Sequence, residues 1–234
     1  MYQISNRVNV IKVYMMPGMA ANPAIFERIQ LPEDEFESIW LSWKIPKQEE
    51  SFSTYAQRMC ADIPKDVPIV LMGVSFGGVL VQEMSKYLNV KRLIIISSVK
   101  TKHELPTRMK VARDTAVYKV LPTSLLDYIY QIEKLPLGNL IKKRLKLYQQ
   151  YLSVNDKDYL DWAIEKMLCW EQDRPIPGTI HIHGDEDLVF PIKNIKQCLI
   201  IPKGTHIMIL NKYRWFNKNL PYLITEATLK DNTL

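Results

Sequence analysis

The stretch PIVLMGVSFGGVL, residues 68–80, decides the fold. Its first part, Pro68 to Val74, is continuously apolar, as a strand buried on both faces of a parallel sheet must be. Beyond it Val79, Leu80, Glu83, Met84, Tyr87 and Leu88 follow a 3.6-residue period, and Asn89 can end that helix. Between strand and helix lies Gly73-Val74-Ser75-Phe76-Gly77, one serine in a glycine-flanked turn.

The alternation continues on both sides. Upstream, Val8, Val10, Ile11, Val13 and Tyr14 form a β-branched run that stops at Met16-Pro17-Gly18. NPAIFERI (22–29) then reads as a short helical piece and FESIWLSWKIP (36–46) as a second strand. In SFSTYAQRMCADI (51–63), Phe52, Tyr55, Ala56, Met59, Cys60 and Ile63 fall at helical spacing behind a serine able to cap the helix. Downstream, KRLIIISS (91–98), GTIHIHG (178–184) and KQCLIIP (196–202) read as strands, and LPYLITEATLK (220–230) as a closing helix. Strands alternating with helices predict an α/β domain with a mostly parallel sheet.

Residues 101–172 break the rhythm. Four helical segments are predicted there: TRMKVARDTAVYKVL (107–121), SLLDYIYQIEKL (124–135), GNLIKKRLKLYQQYL (138–152) and DKDYLDWAIEKMLCW (156–170). Because the sheet resumes afterwards, the segment is expected to be a helical cap inserted into a core of residues 1–100 and 173–234.

Composition narrows the class. The chain has 234 residues, 47% hydrophobic and 24% charged, which suits one large core. Its net charge of +6 is spread along the sequence, and only KKRLK (142–146) is dense, so no nucleic-acid partner is expected. Arg7 and Lys12 interrupt what would be the apolar part of a secretory signal, and no run approaches the roughly 18 apolar residues of a membrane span. A cytoplasmic location is the expectation. Cys60, Cys169 and Cys198, odd in number and far apart, are expected to be small reduced side chains rather than a disulfide framework.

Gly73 to Gly77 matches G-x-S-x-G in the strand–turn–helix context that the nucleophile elbow requires. A sharp turn forces the serine into an unfavourable backbone region, so its neighbours two residues away must lack bulk. A serine hydroxyl also needs a base, usually a histidine held by a carboxylate. Of four histidines, His103 opens the insertion, His181 and His183 alternate along a strand, and His206 follows the last strand in KGTHIMIL (203–210). Ligands gather at the carboxyl ends of parallel strands, which favours His206 as the base. HGDEDLVFP (183–191) supplies Asp185, Glu186 and Asp187, and spacing alone does not choose among them.

Together GVSFGG, HGDEDLVFP and GTHIMIL resemble the nucleophile, acid and histidine segments of the α/β-hydrolase fold, in the same chain order. The resemblance covers nearly the whole chain outside the insertion. It assigns the acid role to Asp187, fourth in a G-x-x-D turn with Val189 and Pro191 following. Asp185 then becomes a turn residue bonding nearby backbone. It also implies an oxyanion hole from the N–H of Phe76 and one N–H of the loop Pro17-Gly18-Met19-Ala20-Ala21, by position that of Met19. Many relatives carry His-Gly where this chain has Pro17-Gly18. The first strand lies so near the start that the two antiparallel strands opening the family fold are not expected, leaving about six strands. The helix between the last two strands is expected to shrink to PIKNIK. The implied activity is a serine hydrolase cleaving a carboxylic ester or thioester through an acyl-enzyme. Its partner is a small-molecule acyl substrate, and no metal or organic cofactor is needed.

Two other readings compete. His181, His183, Asp185 and Asp187 alternate along one segment and could ligate a metal. A fold can also persist in a binding protein without turnover. The aromatic residues Tyr118, Tyr128, Tyr130, Tyr148, Tyr151, Trp162 and Trp170 of the insertion are candidates either for a cleft lining or for packing.

Overall fold

Side chains alternate across a strand, and in the computed structural model, which describes residues 10–119 and 150–230, that alternation divides the core in two. Along β1 (Ile11–Met16), Val13 and Met15 face one side of the sheet while Tyr14 and Met16 face the other. The remaining strands are β2 (Phe36–Trp40), β3 (Ile69–Val74), β4 (Val90–Ile96), β5 (Ile180–Gly184) and β6 (Leu199–Ile201). They form one sheet in the order β2-β1-β3-β4-β5-β6, and every pairing is parallel. This is the compact six-stranded α/β sheet expected. Every residue of β3 is buried, as its continuous apolar run requires.

Helices cover both faces. On the side of Tyr14 and Met16 lie α1 (Phe52–Met59), α2 (Phe76–Met84) and α4 (Lys157–Leu168). Ser51 Oγ caps α1 by accepting from Thr54 N at 3.1 Å, and Asp156 caps α4 by accepting from Tyr159 N at 2.8 Å. On the other side lie the single turn Pro23–Phe26, α5 (Met208–Asn211) and α6 (Tyr213–Thr225). Only the turn Ile192–Asn194 stands between β5 and β6, as expected of PIKNIK.

The second strand is shorter than its sequence implies. Leu41 N still donates to Met15 O at 2.9 Å, but the chain then leaves the sheet. Tyr55 Oη takes both backbone groups of Lys44, accepting from its N at 3.0 Å and donating to its O at 2.8 Å, so no ladder continues to Pro46. β6 likewise begins late, because Gln197 has a positive φ and Lys100 Nζ occupies the carbonyls of Lys196 and Gln197.

Within residues 101–172, α3 (Thr107–Asp114) and α4 are helical as predicted. SLLDYIYQIEKL, and GNLIKKRLKLYQQYL but for its last three residues, lie outside the described residues. Tyr159, Leu160, Trp162, Ala163 and Met167 of α4 join the core cluster on the α2 side, so this end of the insertion packs into the body of the protein. Cys60 is buried, which pushes its thiol up to about 11, while Cys169 and Cys198 are half-buried, and all three are free. No helix among the described residues is long and apolar enough to cross a membrane.

Strand order reverses between β1 and β3, and Met16 pairs with Gly73, so the loops after these strands leave the sheet at one level. Gly184 pairs with Ile201, which does the same for the loops after β5 and β6. Four loops thus converge at one end of the sheet. The far face depends on α6, whose Phe216, Leu220 and Ile224 are fully buried. Phe216→Ala is expected to destabilise the fold by about 3–5 kcal/mol in urea unfolding. Ile200→Ala, on the half-exposed face of edge strand β6, is expected to cost under about 1 kcal/mol.

Candidate active site

β3 passes into α2 through Ser75 alone, which sits at φ 53° and ψ −122°. A residue with a Cβ avoids this region, so the surroundings must hold it there. Two glycines make the bend possible by close approach. A Cβ on Gly77 would strike the carbonyl oxygen of Pro17 and come within 2.6 Å of that of Met16. One on Gly73 would strike the Gly77 backbone. Hydrogen bonds from the neighbouring strand complete the constraint: Ser75 N donates to Ile96 O at 2.9 Å, and Ser98 Oγ donates to Ser75 O at 2.7 Å.

The hydroxyl held out by this turn meets a histidine. Ser75 Oγ lies 3.0 Å from His206 Nε2, and His206 Nδ1 lies 2.9 Å from Asp187 Oδ2 and 3.2 Å from Asp187 Oδ1. Since Nδ1 faces a carboxylate it carries the proton, and Nε2 presents its lone pair to the serine. The three residues come from the loops after β3, β5 and β6, and the structure brings them together.

Asp187 is 2% exposed. Burial alone would raise its carboxyl, but the hydrogen bond and electrostatic attraction of His206 and the Phe190 amide together hold it below the ordinary carboxylate value. Its Oδ1 accepts from Val189 N at 2.8 Å and Phe190 N at 2.9 Å. Asp187 therefore also fastens its own turn, the role expected of Asp185, whose side chain stands exposed instead. The reason is register: the residue facing inward is the one close enough to reach the amides two and three positions ahead.

His183 and His181 lie behind the acid. His183 Nε2 donates to Phe190 O at 2.8 Å and its Nδ1 stands 3.2 Å from His181 Nε2, so the turn that carries Asp187 is held from both of its ends. Desolvation lowers both imidazoles, which stay neutral there. With these rings committed to each other and to the turn, and Asp185 outside, the segment HIHGDED does not converge on a metal. Among the described residues no three His, Cys, Asp or Glu side chains are placed to hold one. His103 is elsewhere, exposed and 3.3 Å from Asp173.

Ser75 and His206 open on a cavity of about 420 Å³. Apolar side chains line it, among them Met19, Met109, Leu160, Ile164, Met167 and Leu210, and no described lining residue is charged. Met109, Leu160, Ile164 and Met167 belong to the insertion, on helices α3 and α4. Of the aromatic residues weighed for a cleft, Tyr151 reaches the cavity. Trp162 and Trp170 are buried in packing, with their indole N–H groups on Glu50 O and Glu83 Oε1. Tyr118 lies against Cys169, and Tyr128, Tyr130 and Tyr148 fall outside the described residues.

Phe76 and Met19 border the same cavity. Phe76 is the first residue of α2, so its amide has no acceptor within the helix. The loop carrying Met19 is pressed on the serine, because a Cβ on Gly18 would lie 3.4 Å from that of Ser75.

No protein-family model and no curated protein matches the chain in sequence. Solved structures do match it. The chain is similar to MenH from S. aureus, at 18% identity and a TM-score of 0.63, over 95% of this chain and 97% of that one. It is similar to the esterase EaEST from Exiguobacterium antarcticum, at 18% identity and a TM-score of 0.58, over 93% of each chain. A thermophilic esterase from Thermogutta terrifontis matches at 16% identity and a TM-score of 0.58, over 88% of this chain and 86% of that one. With a six-stranded parallel sheet flanked by helices, and a likeness to these structures along nearly its whole length, the chain has the α/β-hydrolase fold.

Proposed function

We propose that this protein is a serine hydrolase that cleaves a carboxylic ester or thioester with an uncharged, aliphatic acyl group. One observation carries the reading: the unbroken hydrogen-bonded line from Ser75 Oγ through His206 to the buried Asp187, placed at the wall of an apolar cavity. The esterases among the similar structures support the reaction class.

In this reading Ser75 Oγ attacks the carbonyl carbon while His206 Nε2 takes its proton. Asp187 keeps Nδ1 protonated and stabilises the imidazolium that forms. The carbonyl oxygen becomes an oxyanion beside the amides of Phe76 and Met19, near the N-terminus of α2 where partial positive charge gathers. The C–O or C–S bond then breaks, and the leaving group receives the proton from His206. Water gives a proton to His206 as it attacks the acyl-Ser75 carbonyl, and the second tetrahedral species expels Ser75, which recovers its proton. Every proton is accounted for by one imidazole.

The cavity decides what kind of acyl group fits. A carboxylate or ammonium buried among Met109, Leu160, Ile164 and Met167 would lose its hydration without a partner of opposite charge. Methylene groups gain there, and the methionines adapt to the shape of a flexible chain.

Two outcomes are expected. Ser75→Ala lowers ester turnover by about a million-fold, and Asp187→Asn by about ten-thousand-fold, while Asp185→Asn stays within about twofold of the wild type. Normal turnover by Ser75→Ala would rule out the mechanism. In a series of p-nitrophenyl esters from acetate upward, kcat/KM rises about fourfold per added methylene until the cavity is full. An ester of equal length ending in a carboxylate falls at least about a hundredfold below that line, whereas a flat profile would contradict an aliphatic acyl site.

A further inference from the structure

Trp43 does not line the cavity, yet it touches the Gly18 carbonyl and the ring of Phe76, two groups beside the serine. Its indole Nε1 donates to Gly18 O at 2.8 Å. Its ring stacks on Phe76, with centroids 5.2 Å apart and planes 10° from parallel. In a trans peptide the C=O and N–H point in opposite directions. Gly18 C=O is turned toward Trp43, so the N–H of the same peptide, that of Met19, is turned away from it, and Met19 is one of the residues that border the cavity. Among the described residues no backbone acceptor takes the Met19 amide hydrogen.

We infer that Trp43 is a positioning residue that aims the Met19 amide at the developing oxyanion and fixes its angle to the Phe76 amide; the inference rests on the reading of Ser75 as the nucleophile. The surroundings are built to hold the indole still. Tyr55 pins Lys44, the next residue, through both of its backbone groups. Tyr159 packs on Trp43 at 5.3 Å between centroids, and its hydroxyl accepts from Ala20 N at 3.4 Å. Ala20 itself has φ 61°, and Ala21 N donates to Gly18 O at 3.1 Å, so the loop from Gly18 to Ala21 is held in a tight turn. Two aromatic side chains, from the segment after β2 and from α4, thus clamp successive peptide groups of this loop. The aim of an oxyanion donor matters because its strength depends on alignment to an oxygen that carries full charge only in the transition state.

Two variants remove the indole N–H and keep the ring contact: Trp43→Phe, and replacement of Trp43 by 3-benzothienylalanine, which retains both fused rings. Each is expected to fold with an unchanged melting temperature within a few degrees. Each lowers kcat for the best p-nitrophenyl ester by about 10- to 100-fold with KM within about twofold. The inhibition constant of an alkyl trifluoromethyl ketone, whose adduct carries an oxyanion, should rise by the same factor as kcat/KM falls. A merely structural role would change KM and melting temperature and break that proportionality. If the benzothienyl protein turns over esters at the wild-type kcat, the aiming role is overturned and the hydrolase reading stands. If the wild type turns over no ester in the series, both fall together.

Discussion

The rest of the site depends on one backbone constraint, the positive φ of Ser75 between β3 and α2. A non-glycine residue in such a region costs on the order of 1–3 kcal/mol, and the cost is offset only by surroundings that leave the chain no alternative. Here the surroundings are specific: Gly77 lies on the carbonyls of Met16 and Pro17, Gly73 lies on Gly77, and the end of β4 and the residues just after it bind both backbone groups of Ser75 through Ile96 O and the Ser98 hydroxyl. The same contacts that force the bend bring the loop after β1 against the serine. Ser75 and the loop after β1 are thus positioned by a single packing event, and Trp43 closes it from behind.

Charge at the site is arranged by burial acting in two directions. Asp187, His181 and His183 are all buried, and desolvation disfavours the charged form of each. For the histidines nothing outweighs it, and they remain neutral spacers that hold the acid turn through Phe190 O. For Asp187, two amides and the His206 N–H outweigh it, so one negative charge survives in an apolar setting with one direction open to it. That charge is directed at Nδ1 of His206, and it leaves Nε2 basic beside the serine.

Much of this was legible in the sequence, and the reasons are local. The strand-turn-helix at 68–84 is written in a two-sided apolar run, two glycines and a helical period, each of which constrains the backbone by itself. Six strands in a parallel sheet followed from the same logic. The ends were less legible: FESIWLSWKIP has the composition of a long strand, and only the tertiary bonds of Tyr55 to Lys44 stop it at Trp40. Asp185 and Asp187 could not be ranked by spacing, because the choice depends on which one turns inward under Val189 and Phe190. Trp43 carried no signal at all. An indole that bonds a carbonyl 25 residues away looks, in sequence, like any aromatic residue of a strand. The helices that carry Met109, Leu160 and Met167 were expected, but the empty space these side chains face was not.

The central claim is that Ser75 is a nucleophile made reactive by His206 in the folded protein. Its most direct measurement is reaction of the native chain with a fluorophosphonate, followed by mass mapping of the modified peptide. One label per chain is expected, on Ser75, and it is lost when the protein is unfolded in urea before the reagent is added or when His206 is replaced by alanine. A native protein that takes no label, or takes it at another serine with Ser75 untouched, would contradict it.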